Sequence, residues 1–297
     1  MAFNFSSDIV GHRKIKALLE NSYNNFNLPH SYIFYGPKSI GKFQLSLDFA
    51  NQLLGKNSFH SMPDLMIINS DKIKTEGKKS NQITVNEIRE LEYFLRLTPA
   101  NNLYRIGIID DAENMNYNAS NALLKILEEP GNKTIIFLIA NSIFRIAPTV
   151  RSRCVKIRFD RPDHDDLLII LKRQLPDISE ESEYNLLLKY ANEDIHMAVK
   201  IYKENAIEII EKITNCISMN EVKYADEIFH FASINNDRWD IVKNSLINCA
   251  YNSVKFCAVS QFGYNAALKK AERIINLINM CEKDNLDKNK VITSCLQ

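Results

Sequence analysis

The apolar positions of this 297-residue chain change rhythm near residue 160. Before that point, short apolar runs alternate with stretches in which apolar residues recur every three or four positions. The runs are Tyr32–Tyr35, Leu65–Ile68, Arg105–Ile109, Thr134–Ala140 and Val155–Phe159. Between them, Leu45, Leu47, Phe49, Ala50 and Leu53 keep helical spacing, as do Ile88, Leu91 and Leu95 within Ile83–Leu97. Ala119, Ala122, Leu123, Ile126 and Leu127 form a third such stripe, stopped by Pro130. Unbroken apolar strands need cover on both faces. Their alternation with helices predicts βαβ units and a parallel sheet between helices, an α/β fold.

From Asp163 onward only helical spacing remains. It predicts helices over 163–175, 179–191, 194–217, 221–233, 237–259 and 264–282. The turn-formers agree. Of eight prolines none lies beyond Pro176, and of eight glycines only Gly263 lies beyond Gly131. Pro162 and Pro176 mark the start of the helical region and its first turn. Lys72–Lys79 reads as a solvated loop or hairpin.

Charge narrows the function classes. The net charge is +1, so no global field draws the chain to nucleic acid or membrane. A basic helix-turn-helix, wanted by a DNA-binding initiator, is not evident: Lys269, Lys270 and Arg273 are mixed with Glu272 and Glu282. Lys156 and Arg158 alternate on a strand, an arrangement common on exposed edges. The start MAFNFSSDIV lacks a secretory pattern, and Ile135–Ala140 is too short to span a bilayer. A soluble, cytoplasmic protein is expected. Of six cysteines none forms a C-x-x-C pair, so buried free thiols are expected at Cys216, Cys249, Cys257, Cys281 and Cys295. Trp239, Tyr251 and Tyr264 read as helix-packing residues.

Four segments bear on chemistry. Gly36-Pro37-Lys38-Ser39-Ile40-Gly41-Lys42 follows a strand and opens a helix, as a phosphate-binding loop does. The pattern G-x-x-x-x-G-K-[S/T] ends in a hydroxyl that ligates Mg²⁺, and here that position is Phe43. The loop keeps its glycines and Lys42 but has lost its metal ligand; the plain alternative is an ordinary strand–helix turn. Second, the strand Ile106–Ile109 ends in Asp110 and Asp111. In hydrolytic sites a first acid orients the metal and a second, usually Glu, activates water. Asp111 is one methylene shorter, which works against reach; the alternative is two solvated acids. Third, in Asn121–Pro130 (NALLKILEEP), Glu128 and Glu129 sit at a helix C-terminus, where the macrodipole disfavours anions. They answer either a tertiary demand or solvent, with Glu129 then near Lys125. Fourth, Arg151 and Arg153 flank Ser152 before the fifth run, as a basic turn or as an arginine that reaches another subunit's nucleotide.

Together these segments resemble the clamp-loader branch of the AAA+ ATPases across most of residues 8–160. Val10-Gly11-His12 resembles the motif near the adenine pocket, and His30–Gly36 the strand entering the loop. Met62-Pro63-Asp64 resembles the family's H-P-D segment, Asn121–Pro130 the L-L-K-x-L-E-E-P helix, and Ser152-Arg153-Cys154 the S-R-C motif. The resemblance implies an AAA+ P-loop fold in 1–161, a helical lid in 162–217 and a helical collar in 218–297. It implies that Arg153 is an arginine finger acting in trans on a neighbouring subunit's ATP. Asn141 falls where the first sensor sits. The second sensor, usually an arginine, falls within Asn192–Ala198, which offers His196. Partners implied are gamma/tau-like and delta-like subunits, a sliding clamp, and primed DNA through the complex, with no membrane. Many relatives carry four zinc-binding cysteines before the second strand. This chain has none before Cys154, so no zinc and no other metal is expected, and Mg-ATP binding in cis is expected to be weak or absent. An active motor ATPase of the same family is the competing expectation, since Lys42 and Asp110 are kept.

Overall fold

The computed structural model describes residues 5–6, 9–55, 63–69, 82–100, 104–219, 221–260, 263–284 and 286–296. Lys72–Lys79 and Met62 lie outside the described residues. The chain divides into two compact units, Met1–Asp163 and His164–Gln297.

Among the described residues of the first unit, five strands form one parallel sheet: β1 (Ser31–Tyr35), β2 (Leu65–Ile68), β3 (Arg105–Ile109), β4 (Thr134–Ala140) and β5 (Val155–Arg158). Their spatial order is β2-β3-β4-β1-β5. Five α-helices among the described residues accompany them: α1 (Arg13–Asn24), α2 (Lys42–Leu53), α3 (Val85–Arg96), α4 (Tyr117–Glu128) and the short α5 (Pro148–Arg151).

The period-two geometry of a strand divides the apolar runs between two cores. Ile136, Leu138 and Ala140 of β4 join Ile33 and Ile109 under α3 and α4, with Ile88, Leu91, Leu95, Leu123 and Leu127. Ile135, Phe137 and Ile139 join Tyr32, Phe34, Ile106 and Ile108 under α1 and α2, with Leu19, Leu45, Phe49 and Leu53. All seven residues of β4 are buried, which is why that run shows no alternation in the sequence. Register places Tyr32 beside Phe137 and Tyr35 beside Ala140, and the Tyr32 and Phe137 rings stack at 5.3 Å. Among the described residues β5 pairs only with β1. Its exposed Lys156 and Arg158 suit an edge strand.

The second unit is helical: α6 (His164–Gln174), α7 (Glu181–Tyr190), α8 (Ile195–Lys203), α9 (Ile207–Met219), α10 (Ala225–Ser233), α11 (Asn236–Ser260), α12 (Tyr264–Asp284) and α13 (Lys288–Leu296). The helix expected over 194–217 is two helices. Asn205, with φ 48°, turns left-handed between them, and Ala206 N–H returns to the Ile201 carbonyl at 3.0 Å. A short connection of this kind carries no proline or glycine to announce it. The final helix α13 has no counterpart in the expected set. One core runs from Leu167 to Leu296 through all eight helices. Trp239 is buried within it, whereas Tyr251 and Tyr264 are exposed, at 52% and 43%, so those two do not pack as expected. All six cysteines are free; Cys249 and Cys257 are half-buried rather than buried. Burial pushes the Cys295 thiol up to about 12 and the Cys154 thiol up to about 11. Among the described residues no helix is long and apolar enough to cross a membrane.

Candidate nucleotide site and arginine turn

In an open parallel sheet, ligands gather at the carboxyl ends of strands, where successive helices go to opposite faces. Here α2 leaves β1 for one face and α4 follows β3 on the other. Between them the ends of β1, β3 and β4 bring together residues 36–42, Asp110, Asp111 and Asn141.

The loop is shaped for close backbone approach. Gly36 has φ 150°, and a Cβ there would lie 2.2 Å from the Phe159 carbonyl oxygen. Gly41 (φ 89°) and Ser39 (φ 60°) also have positive φ. The Ile40 carbonyl accepts from His12 Nε2 at 2.6 Å, and the His12 ring meets Phe159 edge-on at 4.9 Å. Pro37, Lys38 and Ser39 are exposed.

Lys42 is buried and turned onto its own loop. Its Nζ donates to the carbonyls of Gly36 (2.9 Å) and Pro37 (2.5 Å) and to Asn141 Oδ1 (3.2 Å). Burial pushes the ammonium below its ordinary value; the charges of Asp110, Glu113 and Asp111 pull the other way, and Lys38 adds to the lowering. Phe43 is half-buried and packs on the α1–α2 core. An aromatic ring in the position of the metal-ligating hydroxyl, with the lysine on backbone carbonyls, does not fit nucleotide-bound Mg²⁺. Among the described residues no group of three or more His, Cys, Asp or Glu side chains is placed to hold a metal ion.

Asp111 has a left-handed backbone, φ 51°, and its N–H donates to Asp110 Oδ1 at 3.0 Å. Glu113, which the sequence reading passed over, is a further acid of the cluster with several partners. It lies on a 3₁₀ turn, Ala112–Asn114. Its carboxylate accepts from Asn141 N (2.7 Å), Asn141 Nδ2 (3.1 Å) and Ser142 N (3.1 Å), with Arg145 Nη1 at 3.5 Å. Burial alone would raise this carboxyl; the N–H groups of Ser142 and Asn141, the Asn141 amide and Arg145 outweigh it and hold it below the ordinary value. Asn141 thus joins Lys42 to Glu113. The only signal in sequence was an acid one turn beyond the strand end.

Arg153 lies apart from this cluster, after α5. Its Nη1 donates to the Thr149 carbonyl (3.0 Å) and Ser152 Oγ (3.2 Å), and its Nη2 meets Glu128 Oε1 at 2.5 Å. Glu128 therefore answers a tertiary demand. Lys125 pairs with Glu92 at 3.1 Å, not with Glu129. Cys154 is buried beside it, and the Arg153 carbonyl accepts from Ser31 Oγ at 2.9 Å, tying the turn to β1. Asp64 is structural: buried, it accepts from Ala100 N at 2.8 Å and faces Arg105 Nη2 at 3.6 Å. His196 is exposed on the first turn of α8, in the second unit.

The family described as DNA polymerase III, delta subunit, matches residues 11–163. The chain is 33% identical over 174 residues to the DNA polymerase III subunit delta′ of Pseudomonas aeruginosa, covering 53% of this chain and 51% of that one. It is 31% identical over 166 residues to the subunit tau of Bacillus subtilis, covering 52% and 29%. It is 26% identical over 235 residues to the replication factor C small subunit 1 of Pyrobaculum islandicum, covering 76% and 67%. The match thus spans about half the length of the Pseudomonas relative. Among solved structures, a DNA polymerase III gamma subunit-related protein of Thermotoga maritima is similar at 16% identity and a TM-score of 0.49, over 94% of this chain and 97% of that one. With more than half of the sequence matched, in the unit that holds the loop, the paired acids and the arginine turn, the chain belongs to the DNA polymerase III delta-subunit family.

Proposed function

We propose that this chain is a delta-prime-type clamp-loader subunit. It does not hydrolyse ATP itself, and it supplies Arg153 in trans to the nucleotide of a neighbouring ATPase subunit while a sliding clamp is loaded onto primed DNA. The observation that carries this reading is Lys42, whose ammonium serves the Gly36 and Pro37 carbonyls beside a metal position filled by Phe43. A phosphate would have to displace those bonds and bring its metal to a site without the usual hydroxyl ligand. Arg153 is partly exposed, its side chain at 37%, as an arginine that meets another subunit must be. In this reading the partners are gamma/tau-like and delta-like subunits, the setting is cytoplasmic, and neither zinc nor a cis nucleotide is required.

The test is ATP binding and turnover by the isolated chain, then turnover after mixing with the motor subunit, clamp and primed DNA. The reading expects negligible turnover alone. It expects Arg153→Ala to cut the complex's rate by about 10³-fold or more, the scale of a trans arginine. Vigorous turnover by the isolated chain overturns it.

One observation favours a second reading, an active motor subunit. Asp110, Glu113 and Asp111 still act electrostatically on Lys42, as the acids of a working site do. That reading requires turnover by the isolated chain that is lost in Lys42→Ala.

A further inference from the structure

Arg153 is held from two sides. Thr149 and Ser152 belong to its own turn; Glu128 reaches it from the last residue of α4. Local chemistry does not explain a carboxylate there, since a helix C-terminus disfavours an anion. Stability does not explain it either. The two side chains are 37% and 52% exposed, and exposed pairs of this kind contribute little. What the pair fixes is direction. An arginine side chain has many rotamers, and ordering it on contact weakens binding. The three contacts engage three of the five N–H groups of the guanidinium, so a phosphate can add to the held geometry.

We propose that Glu128 is a positioning residue for Arg153, holding the guanidinium in one direction before it meets a phosphate group on a neighbouring subunit. This rests on the reading that Arg153 acts in trans. The carboxylate is suited to the task because it and a phosphate engage the same planar fork of donors. The exposure of the pair leaves the arginine oriented without trapping it.

The experiment is steady-state ATP turnover of the complex reconstituted with motor subunit, clamp and primed DNA, comparing wild type, Glu128→Gln, Arg153→Ala and the double variant. Glu128→Gln keeps size and removes charge at a half-exposed site, so its melting temperature stays at the wild-type value. Freeing one rotamer-rich side chain lowers kcat by about two- to tenfold, with KM for ATP unchanged. In the Arg153→Ala background the same substitution has no further effect. Wild-type turnover in Glu128→Gln together with loss in Arg153→Ala overturns the role of Glu128 and leaves that of Arg153 standing. An equal loss on adding Glu128→Gln to Arg153→Ala marks a merely structural residue and also overturns it. Undiminished turnover in Arg153→Ala removes the trans reading and this proposal with it.

Discussion

Phe43 and Lys42 show how neighbouring side chains set the chemistry of a loop. Phe43 contributes its ring to the α1–α2 core, so Phe43→Thr sacrifices about 1 kcal/mol of half-buried apolar contact. The new hydroxyl restores a metal ligand, and calorimetry of the isolated chain should show Mg-ATP binding tightened by about tenfold, or 1.4 kcal/mol. Unchanged affinity would mean that the lost ligand is not what weakens the site. Gly36 is less forgiving. A Cβ 2.2 Å from the Phe159 carbonyl oxygen forces the loop away from the residue that follows β5, so Gly36→Ala should lower stability by about 2–4 kcal/mol, read by denaturant unfolding. Glu113 gives the first unit an acid sensitivity. Its folded-state value lies below the ordinary 4.5, so the stability it confers is full above that pH and is lost as pH falls through the lowered folded value. Glu113→Gln should flatten that part of the pH–stability profile; an unaltered slope in the acid limb would refute the assignment.

Elements decide which of these side chains meet. α4 ends by directing Glu128 to the turn after α5, while the adjacent Glu129 is exposed. Replacing each in turn separates dipole from positioning. Glu129→Gln should leave turnover of the complex unchanged and alter stability by no more than about 0.5 kcal/mol, the scale of one exposed charge at a helix end. A loss of turnover equal to that of Glu128→Gln would count against the distinction. The helix α4, Tyr117–Glu128, was legible in sequence because its apolar stripe and Pro130 are local signals. The break between α8 and α9 was not, because Asn205 takes a left-handed turn without a glycine.

At the scale of the whole molecule, two units carry separate cores: two layers around the sheet in Met1–Asp163, and one cluster through α6–α13 in His164–Gln297. A fragment of residues 164–297 should therefore fold alone, with helical circular dichroism and a cooperative melt. Cutting instead between residues 217 and 218 divides one core, since Ile210, Ile213 and Cys216 share it with Ile241, Val242 and Leu246, and neither piece should melt cooperatively. The sequence by itself determined the sheet, the helices covering it, the glycine loop with its missing hydroxyl, and the family resemblance. Each of these is written in local spacing or in residue type at one position. Only the tertiary structure decided that Lys42 binds its own loop, that Asn141 links it to Glu113, and that Glu128 holds Arg153. Those pairs lie 6, 99, 28 and 25 residues apart along the chain, counting from Gly36 to Lys42, Lys42 to Asn141, Glu113 to Asn141 and Glu128 to Arg153. The three longer pairings are made by strand order and helix ends, which no local pattern of residues encodes; the shortest depends on how the loop's carbonyls turn.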